Sequence, residues 1–201
     1  MGDAEKFARF YDIVFGKRIL EKEYEYVRRE LKGCDRILDI GCGIGTFEQS
    51  LPDMNITGLG ISEEMIKEAA KRCDRAFVLG DVENLGSKDS SFDAVFFVAT
   101  LEFLKDYQKA VREACRVTRP GVKLFVMMLN PESLYFHEQA EDEDSYFRKI
   151  RHADVREMRD YISGFYKITR EEYPLGVSGQ EIFGTSDKEY ASLYAVTGRK
   201  Q

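Results

Sequence analysis

Apolar residues in the first part of the chain recur at helical spacing. Phe7, Phe10, Tyr11, Val14 and Phe15 form one set, and Leu20, Tyr24, Val27 and Leu31 continue it beyond a break predicted near Gly16. Gly33 stands where a helix C-terminal glycine is expected. The period then changes to short, near-continuous apolar runs at 36–40, 55–59, 76–79, 92–98 and 122–129. Such runs predict strands buried on both faces, hence a mostly parallel sheet. Segments 46–51, 62–72 and 105–117 read as the intervening helices. Ser62 followed by Glu63 and Glu64 predicts a capped helix start with acidic residues at the positive end of the dipole. Pro120-Gly121 predicts a stop before the fifth strand. Beyond it, 154–163 reads as a helix, and 165–172 and 190–197 as two strands joined by a Gly-rich region, an antiparallel pair at one edge. The alternation predicts an α/β fold: a Rossmann-like, seven-stranded, mostly parallel sheet with helices on both faces and an antiparallel C-terminal edge.

Bulk properties narrow the class. A length of 201 residues suits one domain over 1–201. Apolar residues at 43% and charged residues at 33% are ordinary for a soluble globular protein. No apolar run approaches bilayer-spanning length, so no membrane insertion is expected. Met1 to Lys6 contains no cationic segment followed by an apolar one, and Lys6 stands where a myristoylation motif wants Ser or Thr. A cytoplasmic protein without a leader is therefore expected. The net charge of -6 argues against nucleic-acid binding except through a local basic patch. Cys34, Cys42, Cys73 and Cys115 form no Cys-x-x-Cys pair, which predicts reduced thiols and no zinc or disulfide. No metal site is expected, because the one His near an acidic run, His137, sits in a loose solvated segment.

The strongest local signal is Asp39-Ile40-Gly41-Cys42-Gly43-Ile44-Gly45-Thr46, which follows the first strand and opens a helix. Glycines there allow a sharp turn and close approach to a ligand, at the strand end where open α/β sheets bind ligands. A dinucleotide fingerprint requires G-x-G-x-x-G/A, but Thr46 occupies the last position and the pattern is G-x-G-x-G. Asp39, two residues before the first glycine, opposes a pyrophosphate and suits a cationic ligand.

The segment Ile37-Leu38-Asp39-Ile40-Gly41-Cys42-Gly43-Ile44-Gly45 resembles motif I of the class I S-adenosylmethionine (SAM)-dependent methyltransferases. Gly80-Asp81-Val82-Glu83-Asn84-Leu85, Ser91-Phe92-Asp93-Ala94-Val95, Leu101-Glu102-Phe103-Leu104-Lys105-Asp106 and Arg119-Pro120-Gly121 follow in the family's order. The resemblance covers about half of the chain (36–129) and is closest to the quinone-biosynthesis and small-molecule subgroup. It implies SAM as cofactor, S-adenosylhomocysteine as product, and methyl transfer to a small-molecule acceptor by in-line displacement. Asp39, Gly41 and Cys42 would face the methionine end. Gly43 and Gly45 would let the ligand lie on the loop. Gly60 and Ile61 would flank the ribose, Asp81 and the Val82 N–H would meet the adenine, and Ala99 and Tyr11 would line the pocket near the methyl group.

Three positions depart from the family pattern. The acidic ribose-binding position falls on Gly60, which leaves Ser62 or Glu63 as substitutes. Phe103 stands where many relatives carry His, and Val122 where they carry a second glycine. No catalytic dyad is identified, and methyl transfer to a nucleophile that has no proton to lose requires none. The acceptor side is expected from the N-terminal helical cap, 1–33, and from an insert at 130–153, ahead of a C-terminal helix and strand pair at 154–201. Within the insert, Tyr135, His137, Tyr146, Arg148 and His152 are candidate lid or substrate residues, with Arg148, Arg151 and His152 suited to an anionic acceptor. A solvated helical excursion of paired charges fits the same segment. Two other function classes fit the same residues: a tRNA- or protein-modifying methyltransferase of this fold, and a non-catalytic SAM-binding module.

Overall fold

The computed structural model describes residues 2–143 and 145–201. Asp144, the end of the insert's acidic run, lies outside them, as does Met1. Two helices, α1 (Asp3–Asp12) and α2 (Val14–Leu31), come first. The break between them is at the extended residue Ile13 and not near Gly16. Gly16 sits in the first turn of α2, where a Cβ would lie 1.9 Å from the Phe10 carbonyl oxygen. Its missing side chain lets the two helices approach; it does not end either one.

Among the described residues nine strands follow: β1 (Ile37–Ile40), β2 (Ile56–Gly60), β3 (Ala76–Leu79), β4 (Phe92–Val98), β5 (Thr118–Leu129), β6 (Tyr166–Glu172), β7 (Gly176–Ser178), β8 (Glu181–Phe183) and β9 (Leu193–Lys200). The main sheet has seven strands in the order β3-β2-β1-β4-β5-β9-β6. The first five are parallel, and β9 runs antiparallel to both β5 and β6. The reversed strand thus lies inside the sheet, with β6 at the edge. The β7–β8 hairpin between them was not anticipated, because two three-residue strands carry almost no periodic signal.

The remaining helices are α3 (Thr46–Ser50), α4 (Glu63–Arg72), α5 (Tyr107–Val117), α6 (Leu134–Glu141) and α7 (Val155–Ser163). Pro120-Gly121 does not stop a helix. α5 already ends at Val117, and the pair lies inside β5, where the register against β4 shifts between Phe92 and Ala94. Alternate residues of the central strands enter two cores. Val95, Phe97, Leu124 and Val126 pack with Val111 of α5 and Met158 of α7. Ala94, Phe96, Phe125 and Met127 pack with Val27 of α2 and Phe47 of α3. The expectation of burial on both faces fails for β3, an edge strand whose Val78 and Leu79 are exposed.

Candidate functional site

The parallel strands deliver β1, β2 and β4 to one rim, and the glycine loop crosses it. Gly41, Gly43 and Gly45 all have positive φ, at +87°, +54° and +74°. The Gly41 and Cys42 N–H groups donate to the Leu59 carbonyl at 2.8 and 3.1 Å, which ties the loop to β2. The three glycines have different reasons to lack a side chain. A Cβ on Gly41 would lie 2.4 Å from Thr100, and one on Gly45 would lie 2.7 Å from the Phe77 ring. A Cβ on Gly43 would meet nothing within 4 Å. Gly43 is therefore the loop position that faces open space.

Behind the loop lie two acids. Asp39 of β1 and Glu48 of α3 are each about 1% exposed. Asp39 Oδ2 and both Glu48 carboxylate oxygens lack a hydrogen-bond partner among the described residues. Burial first, and then the neighbouring Glu48 charge, hold the Asp39 carboxyl well above the usual carboxylate range. Burial pushes Glu48 up to about 7. Two buried like charges resist joint ionisation, so this pair favours a cation or hydrogen-bond donor in front of it. Gly58 of β2 makes room for the Glu48 carboxylate, which would lie 2.6 Å from a Cβ there. Sequence reasoning found Asp39 and missed Glu48, whose burial comes only with the docking of α3.

Around the rim, Gly60 ends β2, and Ile61 beside it is 74% exposed. The two expected substitutes for an acid at Gly60 are already engaged. Ser62 Oγ caps α4 by accepting from the Met65 N–H at 3.3 Å, and Glu63 pairs with Lys67 at 2.7 Å. Asp81 follows β3 and is exposed; its Oδ1 accepts from the Glu83 N–H at 2.8 Å and so caps the short turn that begins at Val82. The Cys42 thiol is buried, and burial pushes its ionisation up. After β4, Ala99 has φ +44°, a costly conformation for a residue with a Cβ, and its N–H donates to the Met127 carbonyl at 2.9 Å. Glu102, also about 1% exposed, accepts from the Leu129 N–H at 2.6 Å, and burial pushes it up to about 7. Its own carbonyl receives the N–H groups of Arg151 and His152. Glu102 thereby fastens the β4 loop to the end of β5 and to the insert, a role with no signal in the sequence beyond the motif itself.

On the acceptor side, the structure brings together part of the expected set. Tyr135 is buried, with its ring 6.2 Å from Phe15 of α2 and 6.0 Å from Phe147. Tyr146 packs 4.9 Å from Phe7 of α1 and 4.8 Å from Phe103. The position that lacks the relatives' His thus forms an aromatic seam between the β4 loop and the insert. The hydroxyl of Tyr11 has Glu23 and Asp39 among its charged neighbours, and burial holds its ionisation far up. His137 and Arg148 are exposed. His152 is apart from Tyr135: its ring packs 4.9 Å from Tyr107 of the other core, and Nε2 lies 3.1 Å from the Leu104 carbonyl. The buried glutamate Glu23 of α2 was missed, because a single acid in a helical stripe reads from sequence as a solvated residue.

A groove of about 280 Å³ lined by Lys22, Glu25, Tyr26, Arg29, Leu175 and Phe183 lies on α2 and the small hairpin, among charges that already have partners. The unpaired carboxyls are the better guide, since buried polar groups without partners are uncommon in folded proteins.

Residues 38–126 match the methyltransferase domain family. Uncharacterized protein MJ1123 of Methanocaldococcus jannaschii is 30% identical over 172 residues, covering 82% of this chain and 81% of that protein. The chain belongs to the class I SAM-dependent methyltransferase family. The 27-O-demethylrifamycin SV methyltransferase of Amycolatopsis mediterranei is 34% identical over 118 residues, 52% of this chain and 43% of that protein. The chain spans about half the length of several such curated relatives. A SAM-dependent methyltransferase and possible histamine N-methyltransferase from Thermotoga maritima shares the fold, with a TM-score of 0.82 at 23% identity over 99% of this chain and 96% of that one. Among the described residues no helix is long and apolar enough to cross a membrane.

Proposed function

We propose that this chain transfers the methyl group of SAM to a small-molecule acceptor at the rim formed by β1, β2 and β4, in the cytoplasm, with S-adenosylhomocysteine as product. The observation that carries the reading is the buried, unpaired Asp39 Oδ2 behind a glycine loop whose open position is Gly43. A cationic ligand lying on Gly43 would complement that oxygen, and the residues present fit SAM on this ground. Asp39, Gly41, Cys42, Gly43 and Gly45 would hold its methionine end, Gly60 and Ile61 its ribose, and Asp81 with the Val82 N–H its adenine, with Ala99 and Tyr11 beside the methyl group.

Bound SAM supplies an electrophilic methyl group on a sulfonium. The chain's own residues position the acceptor and exclude water. Residues 130–153 serve as the lid, with Tyr135 and Tyr146 meeting α1 and α2 over the rim. Isothermal titration with SAM and S-adenosylhomocysteine tests the reading on the wild type, Asp39→Ala and Asp81→Ala. Wild-type binding that both substitutions weaken at least tenfold supports it. No binding by a folded wild-type sample overturns it in favour of a degenerate, non-enzymatic module, and would make Gly60 the first suspect.

A further inference from the structure

The inner face of α2 carries two glutamates, and they are treated differently. Gly16, Ile19, Leu20, Glu23, Val27, Glu30 and Leu31 are its buried residues, one stripe at helical spacing. Glu30 is fully partnered: Arg170 lies at 2.7 Å, Arg29 at 2.8 Å and the Thr197 hydroxyl at 3.1 Å. Glu23, 9% exposed, has no hydrogen bond or ion pair among the described residues, yet its carboxylate oxygens, unlike those of Asp39 and Glu48, are not sealed from solvent. A carboxylate largely withdrawn from water and left without a partner costs more than a solvated one.

The Glu23 charge acts on three tyrosine hydroxyls, Tyr11 on α1, Tyr24 on α2 itself and Tyr135 on α6, and Tyr11 in turn lies within the field of Asp39 on β1. None of these neighbours is a cation. The hydroxyls of Tyr11 and Tyr135 are likewise without a hydrogen bond among the described residues. An arc of rings links the two tyrosines: Tyr11 to Phe10 at 5.3 Å, Phe10 to Phe15 at 6.4 Å, and Phe15 to Tyr135 at 6.2 Å. A carboxylate among aromatic faces and unengaged hydroxyls is a receptor for an organic ammonium.

Resting on the methyltransferase reading above, we infer that the acceptor is an amine, and that Glu23 both seats its ammonium group and removes the proton that must leave before nitrogen can attack. Burial pushes Glu23 up to about 8, which suits a base near neutral pH. An ammonium R–NH3+ gives one proton to the Glu23 carboxylate. The freed nitrogen lone pair forms the new N–CH3 bond, and the pair of the broken S–CH3 bond stays on sulfur. The product leaves as R–NH2–CH3+, and Glu23 returns its proton to solvent. The step needs no oxidant or further co-reactant.

The test titrates methylamine, benzylamine and phenethylamine, with 2-phenylethanol and 3-phenylpropionate as neutral and anionic counterparts, into the 201-residue chain saturated with S-adenosylhomocysteine. At least one amine should bind tenfold or more tightly than the alcohol and the acid. Glu23→Gln should lose at least tenfold of that amine affinity while its affinity for S-adenosylhomocysteine stays within twofold. If no amine binds better than the alcohol, or Glu23→Gln binds amine as the wild type does, the inference is overturned. A carboxyl NMR titration of 13C-glutamate-labelled protein needs no cofactor. It should show one resonance, absent from Glu23→Gln, that titrates well above the ordinary glutamate range and moves down with added amine. A Glu23 resonance in the ordinary range overturns the inference even if the cofactor fails to bind. Loss of S-adenosylhomocysteine binding by the wild type overturns only the methyltransferase reading.

Discussion

Asp39 and Glu48, from the end of the first strand and the helix that follows the glycine loop, bury their carboxyl groups side by side with almost no access to solvent. Their folded-state ionisation is raised, as is that of Glu23 and Glu102. A raised carboxyl binds its proton more tightly in the folded than in the unfolded chain. Its stabilising contribution is complete below about pH 4.5 and disappears as the pH rises through the folded value, which is about 7 for Glu48 and Glu102 and about 8 for Glu23. The slope is at most about 1.4 kcal/mol per pH unit for each group. The urea midpoint of the cofactor-free protein should therefore fall between pH 5 and pH 8. Glu48→Gln should flatten the fall. A midpoint that rises over this window would show that these acids are solvated.

The glycine loop should separate binding from stability. Gly43→Ala places a methyl group in open space at positive φ, a strain of about 1–2 kcal/mol. Gly45→Ala adds to that strain a collision with Phe77 and Ala69. Thermal melts should show the larger loss for Gly45→Ala. Calorimetry should show Gly43→Ala losing SAM affinity out of proportion to its stability.

Gly60 can take a side chain. Its φ is not in the left-handed range, and a Cβ there would meet only the flexible Ile66 Cδ1 at 3.3 Å and Cys42 Sγ at 3.7 Å. With Ser62 and Glu63 engaged in α4, Gly60→Asp supplies the missing acid. SAM affinity should rise about tenfold, as one charge-assisted hydrogen bond of about 1.5 kcal/mol provides. Unchanged affinity on titration would place the ribose elsewhere.

The α1–α2 junction depends on Gly16. Gly16→Ala drives a methyl group into the Phe10 carbonyl, so α1 should lift from α2 while the sheet stays folded. Hydrogen exchange should speed up across 3–16 and remain slow in β4 and β5. Cofactor binding should weaken through the displaced Tyr11. Uniform exchange would mean that the helices tolerate the added group.

The family was legible from local pattern. Parallel strands are nearly all apolar, and the loop between β1 and α3 declares itself by glycines and an acid at fixed spacing. The fold class, the capped start of α4 and the position of Asp39 needed no distant contact to be read. The helix break failed because the position of Gly16 within α2 is set by the Phe10 carbonyl, which sequence spacing does not reveal. The hairpin at β7 and β8 failed because its strands are too short to show a period.

The sequence by itself determined the succession of the seven main-sheet strands, the glycine loop and the family, since each follows from the periodicity and steric needs of neighbouring residues. Tertiary structure alone decided that Glu30 meets Arg170 across 140 positions of chain, that Glu23 on the same helix face meets no cation among the described residues, and that Glu48 turns inward against Asp39. The physical reason is that a carboxylate's chemistry depends on the charges and solvent around it, and here those come from helices and strands far away in the sequence.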